Sequence, residues 1–326
     1  MLLFLCMKLL HKKSQCCGAK IVRFGGKRRR CTACKKTWSE HPAKRGPKPL
    51  RKQCGYLRKV FNHGFRVKQL SLNSKLSTDA IYKRFASNLN AVVKRKRIVR
   101  IRGPKFILVI DAEWHYFKNE LWTLYFLAIK STSSKTITIL DPILRRGKEN
   151  STVWASLINQ LPRSVKKRVI ALVSDGIRGI ENVAERNDWI IQRCHFHLLS
   201  MLQKMRGKRA TTPGRLIREE IYNSVKLALS ETSTCRLNIL CRRLAILAHA
   251  EGCPVRMKNT VRDFLRRLPE FRNYMEYPEL NLPTTVNVME SVNSLIRRKT
   301  KTVNTPKSWH KWAVAAVRFK SKFTCK

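Results

Sequence analysis

The chain has 326 residues, 69 of them Lys or Arg and 20 Asp or Glu, for a formal net charge of +49. That length allows more than one domain, and 43% hydrophobic residues allow a real core. The charge argues against a protein that works without a polyanion. No apolar run reaches membrane-spanning length, and nucleic acid is the partner that fits.

The excess charge is uneven. Residues 1–105 carry 30 Lys and Arg against only Glu40 and Asp79. The first third therefore reads as a nucleic-acid-gripping region. The opening MLLFLCMKLL is apolar but lacks a basic n-region and a small-residue cleavage site, so no secretory leader is expected. The 11 Cys are odd in number and scattered, which fits reduced thiols better than a disulfide framework.

Residues 1–47 read as a small zinc-ribbon-like module. Cys31-x-x-Cys34 is a thiolate pair between β-like segments, and two such pairs would close a tetrahedral Zn²⁺ site. The other knuckle is irregular. Cys17 precedes Gly18 as a knuckle cysteine should, but Ser14 stands where its partner is expected. Either Cys16 or His11 can serve as fourth ligand, or the ribbon has lost its metal. Arg28, Arg29 and Arg30 would face phosphates in either case.

Residues 48–104 follow a Pro-rich break. Leu57, Val60 and Phe61 have helical spacing, and Val67 and Leu70 continue on a second short helix. Ser77-Thr78 can cap a third helix, with Ile81 and Phe85 on its core side. This pattern predicts a helix-turn-helix that points Thr78, Asp79, Ala80, Tyr82 and Lys83 at a major groove. KRKRIVRIRGPK at 94–105 reads as a basic, phosphate-contacting linker.

Residues 105–326 form the body. KFILVIDAEWHYF (105–117) reads as an apolar strand ending at Asp111. ELWTLYFLAIKST (120–132) and KTITILDPIL (135–144) read as two further antiparallel strands. A helix over 149–165 follows, then a strand ending at Ser174-Asp175-Gly176, a helix, and a strand WIIQRCHFH. The order βββαβαβ suggests an α/β, ribonuclease-H-like layout. Its first and fourth strands are neighbours, so Asp111 and Asp175 can meet.

Two carboxylates hold a hard divalent cation poorly, and a third would complete a two-metal site. Thr284-Thr285 can cap a helix whose second turn presents Glu290. Asn287 and Asn293 lie three residues either side, on nearly the same face. Glu113, two residues from Asp111, is a rival ligand.

These residues carry a resemblance. Asp111, SDGIRGI with Asp175, CHFH with Cys194 and His197, and TTVNVMESVNSLIRRKTK with Glu290 resemble the DDE transposases of the Mutator-like superfamily encoded by bacterial insertion sequences. The resemblance implies that Asp111, Asp175 and Glu290 bind Mg²⁺ or Mn²⁺, and that Cys194 and His197 support the site. It also implies that residues 198–282 are a helical insertion and that Arg297, Arg298 and Lys299 hold DNA. The partners would be double-stranded element ends and target DNA, with a homo-oligomer bringing two ends together in the bacterial cytoplasm, at the nucleoid. Two alternatives stay open: a DNA-binding derivative without catalysis, and a ribonuclease-H-fold nuclease that cuts without joining. One departure stands out. The asparagine expected two residues after the paired threonines is displaced by Val286, with Asn287 next.

Overall fold

In a computed structural model the chain forms two compact units, Met1–Gly55 and Tyr56–Lys326. The structure describes residues 14, 16–24, 28–39, 55–72, 74, 76–97, 99, 101–207, 209, 211–300, 303–319 and 323–324. His11 and the Pro-rich break at 41–49 lie outside the described residues, as does the side chain of Lys299.

The first unit is an antiparallel sheet of β1 (Ile21–Arg23), β2 (Arg28–Cys31) and β3 (Thr37–Ser39). Ile21 faces Cys31 and Arg29 faces Trp38 across the ladder. Only Ser14 and Cys31 are buried among its described residues. Four of its cysteines, Cys16, Cys17, Cys31 and Cys34, lie close enough together to share one metal ion.

The second unit begins with α1 (Gly55–Phe61), α2 (Gln69–Leu72) and α3 (Thr78–Lys94). The Ser77 hydroxyl caps α3 by accepting from the Ala80 amide at 3.3 Å. Leu57, Val60, Phe61, Leu70, Ile81, Phe85 and Leu89 are buried. Thr78, Asp79, Tyr82 and Lys83 are exposed on the other face of α3.

β4 (Phe106–Phe117) and β5 (Glu120–Ser131) pair along their whole length. Their turn, Lys118-Asn119, has positive φ at both residues, 49° and 66°, as a tight two-residue hairpin requires. The stretch expected as one strand at 135–144 is two strands, β6 (Thr136–Ile139) and β7 (Ile143–Arg146). Both pair antiparallel with β5, on either side of the Asp141-Pro142 break. Proline cannot donate to a ladder, so the strand stops there and resumes.

The helix expected over 149–165 is likewise two pieces, α4 (Ser151–Asn159) and α5 (Arg163–Lys166), interrupted at Pro162. β8 (Val169–Ser174), α6 (Ile180–Glu185) and β9 (Ile190–Arg193) follow. β8 runs parallel to both β4 and β9. A crossing of this kind needs a connecting helix, which α6 supplies between β8 and β9.

Five helices leave the sheet from there: α7 (His195–Met205), α8 (Arg215–Ser230), α9 (Thr234–His249), α10 (Val255–Arg266) and α11 (Leu268–Glu276). They share a core of their own, including Leu202, Ile221, Val225, Leu244, Val261 and Phe264. The CHFH segment expected on a strand is therefore the start of a helix, with Cys194 as its N-cap. The chain returns through α12 (Asn287–Thr300) and α13 (Pro306–Phe319) to a short β10 (Phe323–Thr324). Across the larger sheet the order is β10-β6-β5-β4-β8-β9, with β7 beside β5.

The strands bury both faces. Even-numbered residues of β4 (Phe106, Leu108, Ile110) join Tyr125, Trp154, Leu157 and Ile180 in one core under α4 and α6. Odd-numbered residues face α12 and α13: the His115 and Phe117 rings lie 5.8 and 5.7 Å from Trp309. Trp312, one turn further along α13, contacts Phe61 at 5.3 Å and Phe85 at 5.1 Å. The last long helix thus ties α1 and α3 to the sheet. Arg97, expected to meet phosphate from the linker, instead pairs with Asp141 at 3.2 Å.

Candidate functional site

Asp111 stands in the middle of β4, not at its end as expected. The parallel ladder to β8 stops at Val109–Val173, while the antiparallel ladder to β5 continues to Phe117. Asp111 therefore sits just where β8 gives out, one residue short of Asp175. Odd parity turns its side chain toward α12, and it is 4% exposed.

A buried carboxylate needs partners. Asn293 of α12 donates its amide to Asp111 Oδ2 at 2.7 Å, and the Ala112 backbone amide donates to Oδ1 at 3.0 Å. Glu290 lies one turn earlier on the same helix, in the first turn and not the second. Its Oε1 is 3.2 Å from His197 Nε2, which is also 3.9 Å from Asp111 Oδ1. Ligand atoms of Asp111, His197 and Glu290 all lie within 4.8 Å of one another. His197 reaches this point because α7 begins at His195, directly after β9.

Burial and neighbouring charge together shift these groups from their ordinary values. Burial pushes Asp111 well above the usual carboxylate range; His197 opposes this, while Glu290, Asp175 and Glu149 add to it. His197 is pushed up to about 11: burial opposes the rise, but the Cys194 sulfur, Glu290 and Asp111 outweigh it. Hydrogen bonding to His197 in turn holds Glu290 low. His197 stands between the two acids, 3.2 Å from Glu290 and 3.9 Å from Asp111.

Asp175 occupies an exposed turn and accepts from the Ile177 amide at 3.2 Å. It is not among the three side chains whose ligand atoms cluster, and it acts on Asp111 through charge. Gly176 beside it has φ of +91°, and a Cβ there would collide with the Arg193 guanidinium. Only glycine fits that turn. Arg193 itself is buried and held by Glu270 at 2.6 Å.

Other expected residues take different places. Glu113 pairs with Arg297 at 2.8 Å, and Arg297 also stands 3.6 Å from Glu290. Arg298 is exposed on α12. Asn287 is the exposed first residue of α12, and of the two flanking asparagines it is Asn293 that bonds an acid. In the N-terminal unit, Cys16 Sγ is 3.2 Å from Cys34 and 3.8 Å from Cys17, and Cys17 is 3.2 Å from Cys31. Cys16 thus joins the cluster, with Ser14 buried beside it at 3.3 Å from Cys31. Arg28 is exposed, Arg29 half-buried, and Arg30 lies over the Phe24 ring at 5.1 Å.

One acid of the centre was not anticipated. Glu149, at the start of α4, accepts from Trp154 Nε1 at 2.7 Å. Burial and the charge of Asp175 push it up to about 7. The signal in the sequence was scarcity: only 20 acids occur in the chain, and this one precedes a helix N-cap immediately.

Two outcomes are expected. Asn293→Ala removes a donor from a buried carboxylate and should cost about 1.5–3 kcal/mol in urea denaturation of the metal-free protein. Asn293→Asp should cost more, since it adds a like charge. Glu149 holds its proton in the folded state between its ordinary value near 4.5 and about 7. The native state thus binds more protons than the unfolded one in that window, and stability falls as pH rises through it. Glu149→Gln should therefore melt higher than wild type at pH 8, the gap closing below pH 4.

No curated protein matches the chain. The family model for the transposases of the Mutator family matches residues 127–308, more than half of it. The match takes in Asp175, Cys194, His197 and Glu290, and starts after Asp111. With this match over more than half of its length, the chain belongs to the Mutator family of transposases.

Proposed function

We propose that this transposase binds element ends, cleaves the phosphodiester at each end and joins the freed 3′-OH to target DNA, using Asp111, Asp175 and Glu290. One observation carries the reading. Asp111 is a buried carboxylate placed among Glu290, Asp175 and Glu149 in a chain of net charge +49. Gathering acids in this way costs folding energy, and a site for a cation explains it.

The donor set fits a hard divalent ion. It is mostly carboxylate oxygen, and Asn293 Oδ1 is buried with no hydrogen-bond partner among the described residues. Asp111, Asp175 and Glu290 would hold Mg²⁺ or Mn²⁺, which supplies Lewis acidity and lowers the pKa of a bound water. The side chains around them fix geometry. Asn293 orients Asp111, His197 and Arg297 orient Glu290, and the Gly176 turn sets Asp175. Preorganisation of this kind is what phosphoryl transfer asks of a protein.

The sheet order supports a ribonuclease-H-like reading, with β4 between an antiparallel and a parallel neighbour and a helical excursion before α12. The exposed Thr78, Asp79, Tyr82 and Lys83 of α3 support a helix-turn-helix that reads the DNA major groove. In the N-terminal unit, four thiolates on roughly 2.3 Å bonds to Zn²⁺ would stand about 3.8 Å apart. The Sγ separations of 3.2 to 3.8 Å support a Zn²⁺ site of Cys16, Cys17, Cys31 and Cys34.

Strand-transfer assays with pre-cleaved ends test the chemistry. Asp111→Ala, Asp175→Ala and Glu290→Ala should each abolish joining while DNA binding persists. Joining at wild-type rate by any one of them would remove that residue from the centre. Elemental analysis tests the ribbon: one zinc per chain is expected, lost in Cys16→Ser. Retention of a full equivalent in that variant would exclude Cys16 as a ligand.

A further inference from the structure

We propose that Trp114 and Tyr116 form a stacking platform for unpaired bases of a DNA end beside the acid centre. This rests on the DNA-cleaving reading above.

The two residues are 60% and 58% exposed, unusual for side chains with this much apolar area on a central strand. Their rings lie 6.0 Å apart at 84°, edge to face. This arrangement leaves the flat side of a ring open to a third aromatic group. Neither is part of a core, and neither serves the fold described above.

Their position points to the ligand. They lie three and five residues beyond Asp111 on β4, roughly 10 and 17 Å along the strand. That is about three to five stacked nucleotides from a phosphate held at Asp111, at ~3.4 Å each. Even parity puts them on the opposite face of β4. Beyond Val109, however, β4 has no strand partner on the β8 side among the described residues. This edge of β4 is the border between the acid face and the aromatic face. A DNA strand crossing it touches both.

The rim is cationic. Trp114 pairs with Thr123 and Thr123 with Arg145, so one row across three strands joins the indole to a guanidinium. Lys118 and Lys148 are exposed on the adjoining turns. A second copy of this chain would bring the same cations against them and be repelled. A nucleic acid would be attracted, and successive bases stack on aromatic rings without regard to sequence. In an intact duplex both faces of each base are covered by its neighbours. The platform therefore suits a strand that has left the duplex.

The test uses the full-length protein and two probes: a blunt duplex, and the same duplex with a four-nucleotide single-stranded extension containing 2-aminopurine. Wild type should bind the extended probe more tightly and quench the fluorophore. The W114A/Y116A variant should lose quenching and bind the extended probe roughly 5- to 150-fold more weakly, with the blunt duplex unaffected. W114F/Y116F should keep most of the preference. Wild-type-like binding and quenching by the alanine pair would overturn the proposal alone. So would a drop in sedimentation mass for that pair, which would assign the face to a second copy. A wild-type chain that bound neither probe would overturn the DNA reading as well.

Discussion

The hydrogen bond from Asn293 to Asp111 is the contact on which the rest of the centre depends. It joins the helix that follows the helical excursion to the central strand, 182 positions earlier. A carboxylate that deep in a sheet is tolerated only with a donor in place and a cation nearby. The donor fixes the rotation of α12, and that rotation puts Glu290 one turn away on the same side. His197 then stands between the two acids. Geometry and charge balance come from the same few residues.

The helical excursion has to leave and return without disturbing this arrangement. It does so by docking on the exposed edge of β9. The buried Gln192 amide donates to the Phe271 carbonyl at 2.9 Å and accepts from the Tyr274 amide at 2.9 Å. Asn273 donates to the Ile191 carbonyl at 2.7 Å. The Asn273 bond satisfies a carbonyl of the edge strand, and the Gln192 side chain ties β9 to the backbone of α11. Arg193, gripped by Glu270 and Asp263, extends the junction to the turn that carries Asp175. A helix far from the acids in sequence therefore bears on the position of one of them.

At the other end of the unit, Trp312 performs the equivalent service for the N-terminal helices. Packing on Phe61 and Phe85 sets the exposed face of α3 relative to the sheet. Arg318 adds a bond to the Arg95 carbonyl at 2.8 Å and an ion pair with Asp141. Burial tends to raise Asp141, but the guanidiniums of Arg318 and Arg97 outweigh it and hold that carboxyl low. The exposed face of α3 and the Asp111 cluster thus belong to one compact unit.

Much of this was legible in the chain. Runs such as FILVI and VIALVS read as buried strands because hydrophobic residues without polar interruption have nowhere else to go. The helix of Ile81 and Phe85 and the isolation of Glu290 were legible too, since periodicity and charge scarcity are local properties. What stayed hidden depends on contacts between distant segments. Whether Asn287 or Asn293 meets an acid is decided by the angle at which α12 crosses β4. Where Asp111 sits along its strand is decided by where β8 ends. That Arg297 turns to Glu113 and Glu290, and that Glu149 faces Asp175, follow from the same packing. Residue types and spacing determined which groups could act. Only the tertiary structure decided which of them face one another, because charges and hydrogen bonds act through space, and the distances between these segments are set by how the sheet ends and the helices cross it.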